Sequence, residues 1–250
     1  MSCHDTSEKT PADLKRRGFL AAALGGGVLL APGITLIEVA RAAPQASANE
    51  AVRWGMLIDT TKCADGCTDC VSACQTENGL PAAVSATSAQ WIRLVEIKDH
   101  ASGREQRAPV MCQHCAEPPC VDVCPTGASF KRADGIVLVD RHACIGCRYC
   151  MMACPYKARS FVHEPTTGQK PDVPRGQGCV ESCTLCVHRL DRGETTTACA
   201  EACTRAGHGA IVFGNLNDPD SEIARRIRAV ASTPLRADLR LDPGVRYAGL

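Results

Sequence analysis

Aromatic side chains are scarce in this sequence of 250 residues, which contains two Trp, three Tyr and four Phe. The interior therefore has few large rings to fill it and needs another kind of filler. Neither sign of charge predominates, because 28 Lys and Arg stand against 27 Asp and Glu, for a formal net charge of +1. This balance offers no basic stripe for nucleic acid, so we expect no nucleic-acid partner. The length fits one domain or two small ones.

Motifs of catalysis are also missing. The sequence has no Gly-rich phosphate loop and no nucleophile elbow, and its histidines are scattered. We therefore expect a protein that is not an enzyme in its own right and has no substrate site of its own.

A long hydrophobic run is lacking too. The apolar stretch at residues 19–31 has 13 residues and follows Lys15-Arg16-Arg17, whereas a membrane-spanning helix needs about 20. An Arg pair before a short apolar run predicts a twin-arginine signal peptide over residues 1–42. Residues 40–42 (Ala-Arg-Ala) have the pattern of a cleavage site, so the mature chain is expected to begin near Ala43. An uncleaved membrane anchor is the alternative.

Cysteine, by contrast, is abundant, with 18 in the chain. Cys3 lies in the predicted signal peptide, and Cys179 stands apart from the remaining sixteen, which form four groups of four. The groups are Cys63, Cys67, Cys70 and Cys74; Cys112, Cys115, Cys120 and Cys124; Cys144, Cys147, Cys150 and Cys154; and Cys183, Cys186, Cys199 and Cys203. Repeated spacing of this kind predicts four related sites.

Disulfides, tetrahedral zinc and iron-sulfur clusters all use cysteine at such density. The third group stands in CIGCRYCMMACPYKA, residues 144–158, whose C-x2-C-x2-C-x3-C-P spacing is typical of bacterial ferredoxins. Zinc ribbons use two separated C-x2-C pairs, and only the fourth group approaches that pattern. Disulfides fit poorly, because a twin-arginine substrate folds in the reducing cytoplasm before export. We interpret the groups as ligands of iron-sulfur clusters.

The segments around the groups predict an α+β fold with short β-hairpins. Asp134-Gly135 separates two short extended runs and predicts a hairpin. The segments WGMLIDTTKC (54–63) and GHGAIVFGNLND (207–218) predict strands before the first group and after the fourth, and WIRLVEI (91–97) predicts an edge strand.

Groups two and three are expected to form one bacterial-ferredoxin-like unit with two 4Fe-4S clusters, nested inside a second such unit made by groups one and four. Clusters would then dominate the core. Long polar inserts separate the units and are expected to meet partners. The expected boundaries are 43–217 for the four-cluster domain, 108–160 for its inner unit, 52–80 plus 179–217 for its outer unit, 75–110 and 161–178 for the inserts, and 218–250 for a C-terminal helix and extended tail.

Three segments carry a resemblance to a known family: CQHCAEPPCVDVCPTGAS (112–129), CIGCRYCMMACPYKAR (144–159) and CTLCVHRLDRG (183–193). Over nearly its whole mature length the chain resembles the four-cluster ferredoxin-like electron-transfer subunits of the dimethyl-sulfoxide-reductase type. Within that family, residues 58–78 and 178–191 look most like the DsrO type, the periplasmic iron-sulfur subunits of Dsr membrane complexes in sulfur-metabolising bacteria.

The resemblance implies four 4Fe-4S clusters whose ligands are exchanged between groups. The implied sets are Cys112, Cys115, Cys120 and Cys154 for cluster A; Cys144, Cys147, Cys150 and Cys124 for cluster B; Cys63, Cys67, Cys70 and Cys203 for cluster C; and Cys183, Cys186, Cys199 and Cys74 for cluster D. The first group departs from the family by having C-x3-C in place of C-x2-C, and Thr204 follows the last cysteine where relatives have proline. Gly66 is expected to take a positive φ that lets the longer loop bulge.

Other residues near the groups receive simpler interpretations. We expect His114, His188, His142 and His208 to form hydrogen bonds or lie at the surface, because four thiols already complete each cluster. Cys179 is expected to be a buried small side chain, with an extra ligand or a contact to a partner cofactor as alternatives.

The resemblance implies a periplasmic electron-transfer subunit that reaches the membrane through its partners. The implied partners are an integral NrfD-like quinone-interacting subunit, a multihaem cytochrome c, and cytoplasmic iron-sulfur and cytochrome b subunits of one complex. The alternative is the electron-transfer beta subunit of an exported molybdopterin oxidoreductase or hydrogenase. The chain's own export signal favours the first interpretation.

Overall fold

The computed structural model describes residues 48–82, 85, 87–98, 100, 103 and 105–250. The predicted signal peptide, with its Arg pair, its cleavage site and Cys3, lies outside the described residues. Within the described part of the chain, no helix has the length and apolar character needed to cross a membrane.

Across the described residues, ten short strands alternate with six short helices. The strands are β1 (Trp54–Asp59), β2 (Ile92–Lys98), β3 (Glu105–Met111), β4 (Ser129–Lys131), β5 (Val137–Val139), β6 (Ser160–Phe161), β7 (Val180–Glu181), β8 (Ile211–Asn215), β9 (Ser232–Thr233) and β10 (Val245–Ala248). The helices are α1 (Asp69–Asn78), α2 (Pro119–Asp122), α3 (Tyr149–Ala153), α4 (Val187–Leu190), α5 (Ala198–Arg205) and α6 (Glu222–Ala229). The mixture of small sheets and short helices is an α+β fold, as predicted.

One sheet has four strands in the order β8-β1-β10-β9. β1 pairs antiparallel with β8 and parallel with β10, so it is hydrogen-bonded along both edges. An inner strand with both faces covered needs an apolar run, and β1 supplies one in which Met56 and Ile58 are completely buried. Trp54 at its start stacks on Phe213 of β8, with ring centroids 5.2 Å apart.

Three antiparallel pairs, β2 with β3, β4 with β5 and β6 with β7, complete the strands of the described residues. The hairpin predicted at Asp134-Gly135 joins β4 to β5. Its turn is stabilised by the Asp134 carboxylate, which accepts a hydrogen bond from the amide of Ile136, and by Gly135, which has a φ of +84°. The strands predicted before group one, after group four and at residues 91–97 are also confirmed, as β1, β8 and β2.

The first five helices, α1 to α5, begin beside cysteines of the four groups. α1 and α5 pack against each other, as do α2 and α3. The side chain of Thr197 caps α5 by accepting a hydrogen bond from the amide of Ala200, and Ser221 caps α6 in the same way. The capping residues fix where each helix starts and therefore, in α5, where its first cysteine points.

The C-terminal segment is part of the core. Residues 218–250 contain α6, but they also contain β10, in which Val245, Tyr247 and Ala248 are almost completely buried. The pairing of β10 with β1 was not anticipated from the sequence. Cysteines make up a large share of the main buried cluster, where Trp91 and Tyr247 are the largest enclosed rings.

Candidate iron-sulfur sites

All seventeen cysteines in the described part of the chain carry free thiols. Most are buried, although Cys147 is exposed. Free thiols agree with the interpretation of the groups as metal ligands rather than disulfides.

The third cysteine group and the last thiol of the second lie together. Cys124, Cys144, Cys147 and Cys150 line one cavity. Cys150 stands on α3 itself. Cys124, the thiol from group two, follows α2 in the chain, and α2 packs on α3. The contact between the two helices therefore brings a thiol of one group to the other.

The remaining thiols of these two groups form the complementary set. Burial raises the pKa of the Cys115 thiol to about 12, and the nearby thiols of Cys112, Cys120 and Cys154 contribute to that rise. Burial also raises the pKa of Cys120 to about 11, with contributions from two of the same neighbours. Cys154, which ends α3, is thus close to the thiols of group two.

Groups one and four exchange thiols in the same way. The two helices that carry their last cysteines, α1 and α5, pack against each other. One cavity is lined by Cys63, Cys67, Cys70 and Cys203. Another is lined by Cys74, Cys183, Cys186 and Cys199.

The electrostatics of these sets fit an iron-sulfur cluster. Burial raises the pKa of the Cys70 thiol to about 12, and Cys199 and Cys67 add to that effect. Burial likewise raises the pKa of Cys183 well above its ordinary value, with Cys74 as the next cause. Four converging thiols would repel one another as thiolates in a buried site unless a cationic metal core compensated their charge. The donor sets are therefore suited to iron.

Several backbone amides donate hydrogen bonds to the sulfur atoms. The amide of Ala210 lies 3.2 Å from Sγ of Cys203, and the amide of Ser129 lies 3.3 Å from Sγ of Cys124. N–H donors of this kind orient a sulfur ligand and help to set the potential of a bound cluster.

Glycines shape the loops that carry the thiols. Gly66 has a φ of +72°, as expected for the longer loop of group one, and a Cβ there would meet nothing within 4 Å. Gly146 has a φ of +70°, but a Cβ there would come within 2.3 Å of the carbonyl oxygen of Gly178. The loop between Cys144 and Cys147 is therefore held close to the chain that precedes β7.

Two of the four histidines form the hydrogen bonds that were expected. His114 is buried, its Nδ1 accepts a hydrogen bond from the amide of Val137 at 3.0 Å, and burial lowers its pKa to about 3, so its ring is neutral. His188 Nε2 lies 2.7 Å from Oε1 of Glu77.

The other two histidines differ from each other. His142 is exposed in the surface turn after β5, which is one of the two expected alternatives. His208 lines the cavity of Cys63, Cys67, Cys70 and Cys203. A ring nitrogen of His208, the Cys67 thiol and a carboxylate oxygen of Asp69 lie within 4.8 Å of one another.

Cys179 is buried, as expected. Its thiol lies 3.2 Å from the carbonyl oxygen of Arg141, to which it donates a hydrogen bond. Gly176 lies in the turn before Cys179. A Cβ at Gly176 would come within 3.2 Å of Sγ of Cys179, so the thiol packs closely against this turn.

Two features of the site were not identified from the sequence. Arg159 is a buried cation whose Nη2 lies 3.1 Å from Sγ of Cys120. Glu77 and Arg189 form a two-point ion pair between α1 and α4. The only sequence signals were short distances, since Arg159 comes five residues after Cys154 and Glu77 three after Cys74.

Comparison with known proteins agrees with this geometry. The family model of the 4Fe-4S dicluster domain matches residues 105–215. The chain is 41% identical over 266 residues to the Hdr-like menaquinol oxidoreductase iron-sulfur subunit 1 of Archaeoglobus fulgidus, an alignment covering 95% of this chain and 98% of the relative.

Two further relatives come from other oxidoreductases. A tetrathionate reductase subunit of Salmonella typhimurium is 38% identical over 200 residues, which cover 79% of this chain and 73% of the relative. The menaquinone reductase iron-sulfur cluster-binding subunit of Nitratidesulfovibrio vulgaris is 35% identical over 229 residues, which cover 78% and 88%.

The fold and the free, converging thiols define a ferredoxin-type 4Fe-4S protein. With these relatives, the chain belongs to the family of iron-sulfur electron-transfer subunits of oxidoreductase complexes.

Proposed function

We propose that the chain holds four 4Fe-4S clusters, one in each set of four thiols. The observation that carries this proposal is that each set combines thiols of two cysteine groups, as the resemblance implies. The ligand sets proposed are those of clusters A, B, C and D given above.

A 4Fe-4S cluster takes up and releases one electron with little movement of atoms. The chain's own residues make that exchange efficient by fixing the surroundings. Burial of most of the cysteines limits the access of water, and amides such as that of Ala210 donate to the sulfur atoms. The protein acts as an electron relay and leaves substrate chemistry to its partners.

The complex proposed is of the Dsr type, with the chain in the periplasm after twin-arginine export. Support comes from relatives named as subunits of a menaquinol oxidoreductase and a menaquinone reductase, which favour a quinone-linked role. The integral partner would be an NrfD-like quinone-interacting subunit. A multihaem cytochrome c would be the redox partner on the same side, and iron-sulfur and cytochrome b subunits would complete the complex in the cytoplasm.

An exposed apolar surface supports docking at cluster B. Ile145, Tyr149 and Met152 are exposed to 67%, 54% and 68%, and they flank Cys147, the exposed thiol of that set. Large apolar side chains grouped at a surface indicate an interaction site. We assign this surface, called here the apolar face, to the integral membrane partner, because electron transfer requires a cluster near the contact.

A beta subunit of an exported molybdopterin oxidoreductase is the second candidate, and the similarity to the tetrathionate reductase subunit favours it. The two candidates differ in their partners. A Dsr-type subunit would purify with a quinone-interacting membrane protein and a cytochrome c, whereas a beta subunit would purify with a molybdopterin-containing chain.

The test is purification of the complex from detergent-solubilised membranes under anaerobic conditions, followed by metal analysis and addition of a menaquinol analogue. The chain purified by itself should contain about sixteen iron atoms and sixteen acid-labile sulfides. In the complex, where haem and the other subunits add iron, we expect the quinol to reduce the clusters. Zinc in place of iron, or a molybdopterin chain in the purified complex, would contradict the proposed function.

A variant of the apolar face sharpens the test. Met152→Glu should release the membrane partner while the chain keeps its iron. Leu239→Glu, at a residue that is also 38% exposed but lies in the C-terminal segment, is the control and should leave the complex intact. Loss of the partner from both variants, or from neither, would contradict docking at this face.

A further inference from the structure

Arg159 is a buried cation without a carboxylate partner. Its side chain belongs to a residue only 5% exposed, and none of the ion pairs formed by the described residues includes it. Arg175, by comparison, has a side chain that is also shielded but lies 3.0 Å from the carboxylate of Glu181. Removing a guanidinium from water is costly unless nearby negative charge compensates it, so Arg159 needs another counter-charge.

The groups around Arg159 are cysteines. Its Nη2 lies 3.1 Å from Sγ of Cys120 and donates to it. Cys150 belongs to the same buried cluster as Cys120, and the charge of Arg159 interacts with the thiols of Cys112 and Cys150. Nε and Nη1 have no hydrogen-bond partner among the described residues. The cysteine sulfur atoms, as thiolate ligands, would therefore supply the negative charge that compensates this guanidinium.

These cysteines belong to two different ligand sets. Cys112 and Cys120 are in the set of cluster A, whereas Cys150 is in the set of cluster B. Arg159 lies five residues after Cys154, which directly follows α3 and belongs to the first of these sets. Because Cys154 joins the thiols of group two, the chain that follows it places the Arg159 guanidinium between the two sets.

We propose that Arg159 is a shared counter-charge that raises the reduction potentials of clusters A and B together. The inference rests on the proposed function, since it requires clusters in both sets. Reduction adds negative charge to a cluster, and a fixed cation in a buried site stabilises the reduced form. One guanidinium close to both sets would also lessen the repulsion that reduction of one cluster exerts on the other. The planar fork of arginine suits this position, since its nitrogen atoms point in several directions from one charge.

The experiment is a redox titration of the anaerobically purified protein, followed by electron paramagnetic resonance. Cys112→Ala and Cys144→Ala first identify the signals of clusters A and B. In Arg159→Gln, we expect the ratio of reduced to oxidised cluster at a fixed potential to fall about tenfold for both of these signals, or roughly 59 mV for a one-electron couple. The reduction potentials measured from the signals of clusters C and D should not change.

Two variants act as controls. Arg159→Lys keeps the charge but loses the fork, so it should shift the same two signals in the same direction by less. Arg192→Gln removes an exposed arginine that pairs with Asp172 and Glu194 and should shift none. If the Gln variant fails to assemble, the Lys variant decides. A Lys variant with full iron content whose two signals fall by tenfold or more, although the charge is kept, would overturn the proposal.

Each further outcome has one meaning. Unchanged potentials in an Arg159→Gln protein with full iron content would overturn the shared role, and so would a shift of one cluster only or an equal shift of all four. A wild-type protein without iron would instead overturn the proposed function, and this inference with it.

Discussion

Glu77 and Arg189 are joined at two points, with Arg189 Nε 2.8 Å from Oε1 and Nη2 2.7 Å from Oε2 of the carboxylate. The two residues are 112 positions apart in the sequence. One belongs to α1, which carries the last thiol of group one, and the other to α4, which follows the C-x2-C pair of group four. The ion pair therefore ties together the two segments that supply the ligands proposed for cluster D.

Replacing Glu77 by Gln should weaken this tie. Both side chains are largely shielded from water, and hydrogen bonds to charged groups contribute about 1.5–3 kcal/mol each. We expect a loss of about 1–3 kcal/mol in the free energy of unfolding, seen as a lower midpoint temperature for loss of cluster absorbance. Glu105→Gln, at an exposed carboxylate on β3, is the matched control and should leave the midpoint unchanged. Equal midpoints for the wild type and Glu77→Gln would contradict the role of the pair.

The same carboxylate predicts an acid dependence. The hydrogen bond from Arg189 lowers the pKa of Glu77 from 4.5 to about 2 in the folded protein. Because the folded pKa is the lower one, this contribution to stability is present above pH 4.5 and disappears as the pH falls from 4.5 towards 2. Acid also dissolves iron-sulfur clusters directly, but that effect is common to the wild type and the Gln variant. The ratio of their rates of cluster loss, measured at about pH 6 and about pH 3.5, should therefore be closer to one at the lower pH. A ratio that stays constant would contradict the linkage.

The two glycines of the ligand loops predict different responses to alanine. Gly146 and Gly66 both have positive φ, which costs an alanine about 1–2 kcal/mol. Only at Gly146 would the new Cβ also collide with a backbone carbonyl, that of Gly178. We expect Gly146→Ala to lower the iron content by displacing the loop of cluster B, and Gly66→Ala to keep its full iron content. The measurement is iron per chain after anaerobic purification. Full iron content in both variants would show that the close approach is unimportant.

Exchange of ligands can be tested by comparing single cysteine variants. Cys154→Ala and Cys112→Ala should lose or convert the same paramagnetic signal, and Cys144→Ala a different one. The reason is that the Cys154 thiol is close to those of group two, whereas Cys144 lines the cavity of cluster B. A pairing of Cys154→Ala with Cys144→Ala would contradict all the proposed ligand sets, because the outer sets follow the same rule.

The export route predicts the behaviour of the N-terminal arginine pair. Replacing Arg16 and Arg17 by lysine should leave the protein in the cytoplasm, since the pair is the feature that specifies twin-arginine export. Cell fractionation followed by immunoblotting measures the distribution. The same replacement at Arg225 and Arg226, on α6, is the control and should not change it. Periplasmic recovery of the variant at the wild-type level would contradict the proposed localisation.

Local patterns in the sequence predicted much of the fold. The turn at Asp134-Gly135 and the strands β1, β2 and β8 were expected, because turn residues and apolar runs act over a few positions. β10 was not expected, since its residues follow Pro243 and Gly244 and its parallel partner lies near the other end of the described chain.

The residues of the candidate site also fall into some that the sequence predicted and some that it did not. The cysteine groups were visible through their spacing, and the free thiols agree with that interpretation. Arg159 and the Glu77–Arg189 pair were not visible, because a single charged residue resembles an ordinary solvated position until the fold brings its partner near. Long-range contacts of this kind need the tertiary structure.

The pairing of β1 with β10 also bears on the order of folding. Met56 is in register with Val245, so the chain between them, with every cysteine of the four groups, forms one long loop closed by the sheet. Closing such a loop costs entropy before any strand contact compensates for it, and folding is slow when contacts are distant in sequence. A cluster bound by cysteines of both α1 and α5, or by cysteines next to both α2 and α3, would link distant parts of the chain and divide that loop into shorter ones. Formation of the clusters would then favour closure of the sheet, because each link shortens the chain that the pairing of β1 with β10 must close.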